Sequence, residues 1–456
     1  MNYYRLFLSA LLCLATSATS LRAAGNVQNK PNIVVIMLDD MGYEWLSCYG
    51  GESAKTPELD ALAEDGMQFN HCYSTPLCTP SRVEIMTGRY SCRNYAGFGN
   101  YPEGEITFAN ILRDAGYATC TAGKWQLTVN PRDAGFDQYC LWRINHPVKD
   151  KATKIKYPKG GDTRYWIPKL LKNGQWLPVD DTDFGPDLCT DFVCDFISEH
   201  RAVPFLVYYP MMLTHSPFLP TPLDIDRDAS IKERTRKNDR NFPGMVRYAD
   251  KLVGRIKATL AANGLTDNTL ILFTSDNGTG RSIRARLNGK EYEGGKGRLT
   301  DNGTRVPLIA SWPGGGVKKG VVTDELVDLT DVLPTVAEAA GVALPNPGGI
   351  DGKSFLPVLR DPSVSRRDWV MSYFVDHRDS YPLGYWVRNH RWKLYNDGRL
   401  FDMQKDPGET RPVGSPEQAG GRKALEGVFR EQNVTGDMLT EYLEKQRTGG
   451  SVKTEK

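Results

Sequence analysis

Residues 31–40 read PNIVVIMLDD, and this stretch decides the predicted fold. The apolar run over 33–38 contains no polar residue, which is typical of a strand buried on both faces of a sheet. A helical pattern closed by glycine follows over 57–66 (PELDALAEDG). Strands that alternate with helices predict an α/β protein, with a large α/β/α sandwich around a mainly parallel central sheet.

The rest of the chain continues this alternation of strands and helices, and a series of short strand-like pieces then replaces it. Helical periodicity marks 106–116, 190–198, 245–262 and 329–341, and strand-like runs mark 204–209 and 269–274. After Asp361-Pro362, short strand-like pieces separated by turns lie at 369–374, 384–388, 392–395 and 399–403. We therefore predict a large α/β domain over 25–362 and a small C-terminal antiparallel α+β subdomain with a polar tail over 363–456.

The first 24 residues have the pattern of a secretory signal peptide. Arg5 precedes an apolar run over 6–15, and small residues follow as far as Ala24. The run is shorter than the about 20 apolar residues of a membrane-spanning helix, and no later stretch approaches that length. We expect a signal peptide over 1–24, an exported protein that is periplasmic or secreted, and no membrane span.

Charge and cysteine content narrow the function classes. The chain has 57 Lys and Arg against 55 Asp and Glu, so no basic excess favours nucleic-acid binding. Its nine cysteines are an odd number and cannot all pair within the chain. Cys13 would leave with the signal peptide, and the remaining spacing matches no paired Cys-x-x-Cys zinc pattern.

Two predicted strands end in oxygen-rich residues, Asp39-Asp40 and Asp276-Asn277. Ligands of open α/β sheets bind beyond the carboxyl ends of the strands. Three carboxylates and an amide that converged there would require a cation, and all-oxygen ligands favour Ca²⁺ or Mg²⁺. The alternative is a pair of ordinary strand-end turns, in which Asp, Asn and Gly are common. Their occurrence at two matching strand ends favours the metal.

The segment Cys78-Thr79-Pro80-Ser81-Arg82 predicts a helix start. Thr79 can cap a helix and Pro80 suits its first position. Cys78 would then lie at the positive helix end, where negative charge is stabilised, with Arg82 one turn into the helix. The alternative for an isolated cysteine is a small buried residue.

Three cationic candidates follow: Lys124 in Gly123-Lys124-Trp125-Gln126, His215 after the strand-like run over 204–209, and Lys296 in Gly294-Gly295-Lys296-Gly297. Each alone is more often a solvated surface residue. Facing a divalent metal across a pocket, they would hold a tetrahedral oxyanion.

These motifs resemble the type I sulfatases, arylsulfatase A-like, formylglycine-dependent members of the alkaline phosphatase superfamily. Cys78 to Arg82, followed by Thr87-Gly88-Arg89, is similar to the family signature Cys-x-Pro-Ser-Arg with its later Thr-Gly-Arg. Further similar motifs occur in the family's order at 31–40, 274–278, 294–297, 303–307, 400–402 and 406–409.

The resemblance implies a sulfuric ester hydrolase. A maturation enzyme would oxidise Cys78 to formylglycine (3-oxoalanine), whose hydrate would attack the sulfur and expel the alcohol. The Ca²⁺ ion, with Mg²⁺ as the alternative, would be held by residue 78 and by Asp39, Asp40, Asp276 and Asn277. Seven thiols would remain, so at least one would stay unpaired within the chain.

The resemblance also implies the roles of the cations. Arg82 would steady the modified side chain. Lys124, His215 and Lys296 would neutralise the sulfate, and His215 or Lys296 would protonate the leaving oxygen. Gln126, also expected at the substrate, replaces the family's usual histidine, which is thought to take the proton that releases sulfate. Glutamine cannot act as a base near neutral pH. We nevertheless expect activity to be retained.

A basic and aromatic stretch suggests the substrate. The region 149–172 contains eight Lys and Arg residues with Tyr157, Tyr165 and Trp166, and Trp176 follows. Such a surface could attract and stack on a sulfated polysaccharide, or it could be a solvated loop. Our hypothesis is a carbohydrate sulfatase. The alternatives are a phosphonate or phosphate ester hydrolase of the superfamily and an inactive glycan-binding relative, which only Gln126 supports.

Overall fold

The computed structural model describes residues 30–95, 97–142, 164–346, 349–374, 383–414 and 419–434. The predicted signal peptide, residues 149–163 of the basic stretch and the polar tail lie outside these ranges. Within the described ranges, no helix combines the length and apolar character needed to cross a bilayer. All eight described cysteines are free thiols.

The central sheet has ten strands in the order β12-β2-β11-β8-β1-β7-β3-β4-β5-β6. β1 pairs in parallel with β8 and β7, β3 pairs in parallel with β7 and β4, and β12 pairs in parallel with β2. β11, β5 and β6 run antiparallel to their neighbours. The strands are β1 (Asn32–Leu38), β2 (Met67–Tyr73), β3 (Ala118–Lys124), β4 (Gln138–Trp142), β5 (Leu170–Lys172), β6 (Gln175–Trp176), β7 (Phe205–Pro210), β8 (Thr269–Ser275), β11 (Arg305–Ser311) and β12 (Val321–Asp328).

Helices cover both faces of this sheet, because the side chains of the buried strands alternate between two apolar cores. The helices are α1 (Pro57–Glu64), α2 (Cys78–Thr87), α3 (Ser91–Asn94), α4 (Phe108–Asp114), α5 (Gly185–Glu199), α6 (Ile231–Arg234), α7 (Phe242–Ala262), α8 (Asp301–Thr304), α9 (Val332–Ala339), α10 (Leu356–Arg360) and α11 (Ala419–Glu431). Val34 and Ile36 of β1 pack into one core with α5 and α7, whereas Ile33 and Val35 pack into the other with α2 and α9.

Two smaller sheets complete the described chain. β9 (Arg284–Leu287) and β10 (Lys290–Glu293) form a hairpin. β13 (Val370–Phe374), β14 (Gly384–Arg388), β15 (Trp392–Tyr395) and β16 (Leu400–Asp402) form an antiparallel sheet in that order. The mainly parallel sheet between helices and the small antiparallel C-terminal sheet confirm the predicted fold class. The domain boundary at 362 stays a prediction.

Candidate active site

The two predicted metal-binding segments leave the sheet side by side. β1 and β8 pair in parallel, with Leu38 opposite Ser275, so Asp39 and Asp276 follow neighbouring strand ends. The backbone N–H of Asp40 donates to Asp276 Oδ1 (3.0 Å), and Asn277 Nδ2 donates to Asp40 Oδ1 (2.9 Å). All four side chains are buried. The structure therefore brings together the oxygen ligands that the sequence predicts.

Two buried oxygen atoms in this group fit a metal ion. Asp39 Oδ2 and Asn277 Oδ1 have no hydrogen-bond partner within the described part of the chain. A buried acceptor left without a partner costs free energy, and a hard divalent cation would satisfy both oxygens. One ligand atom each from Asp39, Cys78 and Asp276 lie within 4.8 Å of one another. The carboxylate and amide oxygens match the preference of Ca²⁺ for oxygen ligands, whereas the Cys78 thiol is a soft donor that does not.

Cys78 is the first residue of α2 and its side chain is buried, with 2% exposed. The helix has ten residues, so Cys78 lies at a positive helix end, as predicted. The prediction that Thr79 caps the helix is wrong. The helix begins at Cys78 after the extended Leu77, so Thr79 lies inside the first turn, where its Oγ1 accepts a hydrogen bond from the backbone N–H of Gly99 (3.1 Å).

Arg82 lies one turn into α2 and connects the carboxylates. Its Nη2 is 2.8 Å from Asp276 Oδ2 and 3.6 Å from Asp39 Oδ1. Its Nη1 donates to the backbone carbonyl of Lys124 (3.5 Å). Arg82 thereby ties the start of α2 to the ends of β1, β3 and β8.

The three predicted cations all face this carboxylate group. Lys124 Nζ donates to Asp39 Oδ1 (2.8 Å), and Lys296 Nζ donates to Asp40 Oδ2 (2.6 Å). His215 Nε2 lies 3.6 Å from Asp40 Oδ2. His215 Nδ1 is 2.6 Å from the carbonyl oxygen of Ser216, which can only accept, so Nδ1 carries a hydrogen. Nε2 is therefore the ring nitrogen directed at the pocket.

Burial and neighbouring charges both shift the pKa values of these groups, in several cases in opposite directions. Burial, helped by the Asp39 carboxylate, raises the pKa of Asp276 to about 7. Burial also acts to raise the pKa of Asp39, but Lys124 and its neighbouring cations hold it well below the usual value. Burial lowers the pKa of His215 to about 3 although Asp40 opposes the shift. The site thus concentrates charges that only close pairing can stabilise.

Gln126 lies two residues beyond the end of β3. It is buried and has a left-handed backbone, with φ 55°. Among the described residues, no hydrogen bond or ion pair joins Gln126 to the other candidate site residues. It is the one predicted site residue that the structure does not connect to the group.

Several residues of the site were absent from the sequence prediction. Thr279 Oγ1 accepts from the backbone N–H of Gly42 (2.9 Å) and donates to Glu44 Oε1 (2.5 Å). Burial raises the pKa of Glu44 to about 7. Arg164 Nη1 lies 4.0 Å from Asp39 Oδ2. No motif predicted Thr279 or Glu44 as a site residue, and the sequence indicated Arg164 only as part of a basic and aromatic stretch.

Comparison with known proteins shows which family the chain belongs to. The sulfatase family matches residues 31–342, and the family described as N-sulphoglucosamine sulphohydrolase, C-terminal, matches residues 295–429. Human arylsulfatase A is 32% identical, over 86% of this chain and 85% of its own. N-acetylgalactosamine-6-sulfatase of Rattus norvegicus is 33% identical, over 88% and 85%.

A solved structure, Ps i-CgsB in complex with k-i-k-neocarrahexaose, is 26% identical. It superposes with a TM-score of 0.73 and covers 89% of this chain and 92% of its own. The sulfatase match covers all of the candidate site residues. The chain therefore belongs to the sulfatase family and is a sulfuric ester hydrolase.

Proposed function

We propose that this sulfatase removes sulfate groups from sulfated carbohydrates and uses a formylglycine made from Cys78 as its nucleophile. The observation that carries the proposal is the convergence of three carboxylates, Asn277, three cations and the start of α2 on one buried pocket. A formylglycine-generating enzyme is the partner that this proposal requires. We also propose that the protein is exported, to the periplasm or beyond the cell.

Asp39, Asp40, Asp276 and Asn277 would hold Ca²⁺, because their oxygens include two without partners in the described chain. When bound, the ion would polarise the sulfate group and favour the ionised nucleophile. Arg82 keeps two of the carboxylates in place through Asp276 Oδ2 and Asp39 Oδ1.

The modified residue 78 accounts for both halves of the reaction. One ionised hydroxyl of the hydrated aldehyde would attack sulfur as the S–O bond to the alcohol breaks. The second hydroxyl would then give its proton to solvent water, so that the carbonyl re-forms as the carbon–oxygen bond to the sulfate breaks. Water need not attack sulfur a second time. The positive end of α2 stabilises the negative charge that develops near residue 78.

The cations bind the sulfate and supply the proton for the leaving oxygen. Lys124 and Lys296 each bring an ammonium group to the pocket. Burial acts to lower the pKa of Lys296, but Asp40 raises it above its usual value, so the side chain stays protonated. Lys296, which stays protonated, donates to the alcohol oxygen as the S–O bond breaks; His215 could take this role only when protonated on Nε2, because its hydrogen otherwise lies on Nδ1. Gln126 would contribute a hydrogen bond to the substrate.

Two observations support a carbohydrate substrate. N-acetylgalactosamine-6-sulfatase acts on a sulfated sugar, as its name states, and is 33% identical. The described end of the basic stretch pairs cations with aromatic rings: Lys169 Nζ lies 4.4 Å from the centre of the Trp176 ring, and the Arg164 guanidinium lies 4.2 Å from that of Trp142. Aromatic surfaces beside cations suit sugar rings that carry sulfate.

The proposal is tested by peptide mass analysis of the segment around residue 78, coupled to sulfate release from sulfated oligosaccharides and aryl sulfates. We expect formylglycine at position 78 and release of inorganic sulfate. Protein produced without the maturation enzyme is the control and should be nearly inactive. Formylglycine-bearing protein that released no sulfate from the whole panel would contradict the proposal, and faster cleavage of phosphate or phosphonate esters would favour the other branch of the superfamily.

A further inference from the structure

We propose that Thr279 is a positioning residue that directs the ammonium group of Lys296 at the leaving oxygen of the substrate. Thr279 acts through Asp40 and Lys296 and is not itself a catalytic residue. This inference rests on the proposed function, in which Lys296 gives its proton to the alcohol oxygen. It predicts that the loss of one buried hydroxyl group changes how strongly the rate depends on the leaving alcohol.

Three hydrogen bonds close a ring around Thr279. Its carbonyl oxygen accepts from the backbone N–H of Lys296 (2.9 Å). The side chain of Lys296 leads on to Asp40, because Nζ donates to Asp40 Oδ2 (2.6 Å). Two residues after Asp40, the backbone N–H of Gly42 donates to Thr279 Oγ1 (2.9 Å). Since the ring is closed, neither Asp40 nor Lys296 can shift alone without lengthening one of these bonds.

The hydroxyl group of Thr279 is held in one orientation. It donates to Glu44 Oε1 (2.5 Å), so its lone pairs remain available to the N–H of Gly42. Thr279 is fully buried and Glu44 is 1% exposed, so bulk water does not reach either bond. Without the hydroxyl, both groups would be buried without this partner, which is unfavourable. We therefore expect the segment that carries Asp40 to shift when the hydroxyl is removed.

The glycine-rich loop over 294–297 fixes the backbone of Lys296. A Cβ at position 294 would lie 2.2 Å from the Gly280 carbonyl oxygen, so the loop packs directly on the chain that follows Thr279. At the other end of the loop, the backbone N–H of Gly297 donates to the Pro76 carbonyl oxygen (2.9 Å), two residues before Cys78. The remaining freedom of Lys296 therefore lies in its side chain.

The side chain of Lys296 is a flexible stem with four carbons, so its ammonium group depends on its acceptor for a fixed position. Among the residues that the structure describes, Asp40 Oδ2 is the one hydrogen-bond acceptor of Lys296 Nζ. The position of Asp40, which Thr279 holds through Gly42, therefore decides where the proton donor points. A displacement of about 1 Å at a catalytic group can lower the rate about 100-fold.

The role of a proton donor depends on the substrate. An acidic phenol can leave as its anion, whereas a less acidic alcohol needs a proton as the S–O bond breaks. A misplaced Lys296 should therefore slow the cleavage of esters of weakly acidic alcohols more than the cleavage of esters of acidic phenols. If Thr279 contributed only to stability, its loss would affect all esters alike.

Thr335 provides a matched control. It is also fully buried, and its Oγ1 accepts from the backbone N–H of Phe355 (3.0 Å) and donates to the Asp331 carbonyl oxygen (2.7 Å). Each of the two threonine hydroxyls thus has one backbone donor and one oxygen acceptor. Thr335 lies in α9, and its partners belong neither to the carboxylate pocket nor to the loop that carries Lys296.

The experiment compares full-length wild type, T279V, T279S and T335V, all modified at residue 78 and loaded with Ca²⁺. The value of kcat/KM is measured for phenyl sulfate and for 4-nitrophenyl sulfate, whose phenol is more acidic. It reports the steps up to S–O cleavage and excludes the later release of sulfate. For T279V we expect a loss of about tenfold with phenyl sulfate and about twofold with 4-nitrophenyl sulfate. T279S keeps the hydroxyl and should preserve the wild-type preference between the esters, as should T335V, which should only lower the unfolding temperature.

Equal losses with the two esters in T279V would overturn the inference, as would a changed preference in T335V or a T279S variant that behaves like T279V. If T279V does not fold, T279A removes the same hydroxyl and takes its place. If wild type cleaves only sulfated oligosaccharides, kcat on them should fall about tenfold in T279V and not in T335V, and an unchanged kcat in T279V would overturn the inference. Wild-type protein that releases sulfate from none of these substrates would contradict the proposed function and the role of Thr279 with it.

Discussion

The pocket around Asp39 and the cluster around Asp301 both bury carboxylates among cations, but they differ in how the oxygens are paired. Asp301 Oδ1 accepts from Lys393 (3.0 Å) and Oδ2 accepts from Arg388 (2.7 Å). Lys393 also donates to Glu409 (2.9 Å) and to the Leu299 carbonyl (3.0 Å). In the pocket, Asp39 Oδ2 lacks a hydrogen-bond partner within the described residues.

This difference separates a structural cluster from a site that binds ligands. The Asp301 cluster joins α8, which precedes β11 of the large sheet, to β14 and β15 of the small sheet. Its groups satisfy one another, so their contribution is to stability. Within the described residues, the pocket leaves two acceptors, Asp39 Oδ2 and Asn277 Oδ1, without a partner, and a bound cation would satisfy them. Substitutions in the two clusters should therefore affect different measurements.

The largest effect is expected from Cys78→Ala. Loss of the nucleophile should lower kcat by about 10⁶-fold, as for other covalent catalysts. The unfolding temperature should change little, because a methyl group replaces a small side chain in the buried first turn of α2. Sulfate release and thermal unfolding measure the two quantities. Activity within tenfold of wild type would rule out residue 78 as the nucleophile.

Lys393→Met tests the structural role of the Asp301 cluster. Lys393 is fully buried between Asp301 and Glu409. Removal of one partner from a buried ion pair costs about 3–5 kcal/mol, so the free energy of unfolding in urea should fall by that amount. Lys124→Met is the matched variant, because it also breaks a buried ion pair. Its kcat/KM should fall about 100-fold, whereas that of Lys393→Met should stay at the wild-type level. An equal loss of kcat/KM in the two variants would abolish the distinction between the clusters.

Addition of Ca²⁺ should distinguish the Asp39 pocket from the Asp301 cluster by its effect on stability alone. A ligand at about 100 times its Kd stabilises the folded protein by about 2.7 kcal/mol. Wild type should gain this on addition of Ca²⁺ and lose it with a chelator, as measured by thermal unfolding. Asp39→Asn should abolish the gain. Asp301→Asn should lower the starting stability and retain the gain, and a lost calcium response in that variant would contradict the assignment.

The smallest effect is a pH dependence of the Asp301 cluster. Burial acts to raise the pKa of Asp301, but Lys393 and Arg388 together hold it well below the usual value. Its stabilisation is therefore fully present above the unfolded pKa of about 4 and is lost progressively as pH falls from there through the folded pKa. The unfolding free energy of wild type relative to Asp301→Asn should shrink by about 0.8 kcal/mol between pH 6 and pH 3.5. A constant difference would show that these ion pairs add nothing.

The sequence predicts the pocket better than the cluster, and the reason is topological. Asp39 and Asp276 follow apolar runs that read as strands, and parallel strand ends meet at one edge. Glu409 and Lys393 carry no such signal, because their pairing depends on how two sheets pack. Arg164 was assigned to a surface stretch since only the fold places it beside Asp39 and on the Trp142 ring.

Some elements of the fold were also outside the reach of the sequence pattern. β3 reads ATCTAGK and lacks an apolar run, so it was not predicted as a strand. Its Gly123 has φ 104°, and a Cβ there would lie 2.1 Å from the Pro210 carbonyl oxygen. Close contact with β7, and not strand propensity, requires glycine at this position. Tertiary packing therefore decides this strand, which carries Lys124 to the pocket.

The burial of Cys78 has a consequence for the order of events during biosynthesis. Its side chain is 2% exposed, beneath carboxylates that follow strands about 240 positions apart in the chain. Contacts of such long range form late, since closure of long loops is entropically costly. Refolded, unmodified protein should therefore resist conversion when it is incubated with the maturation enzyme, as mass analysis of the residue-78 peptide would show. The time available for installing the nucleophile is the interval between synthesis of α2 and docking of β8 against β1.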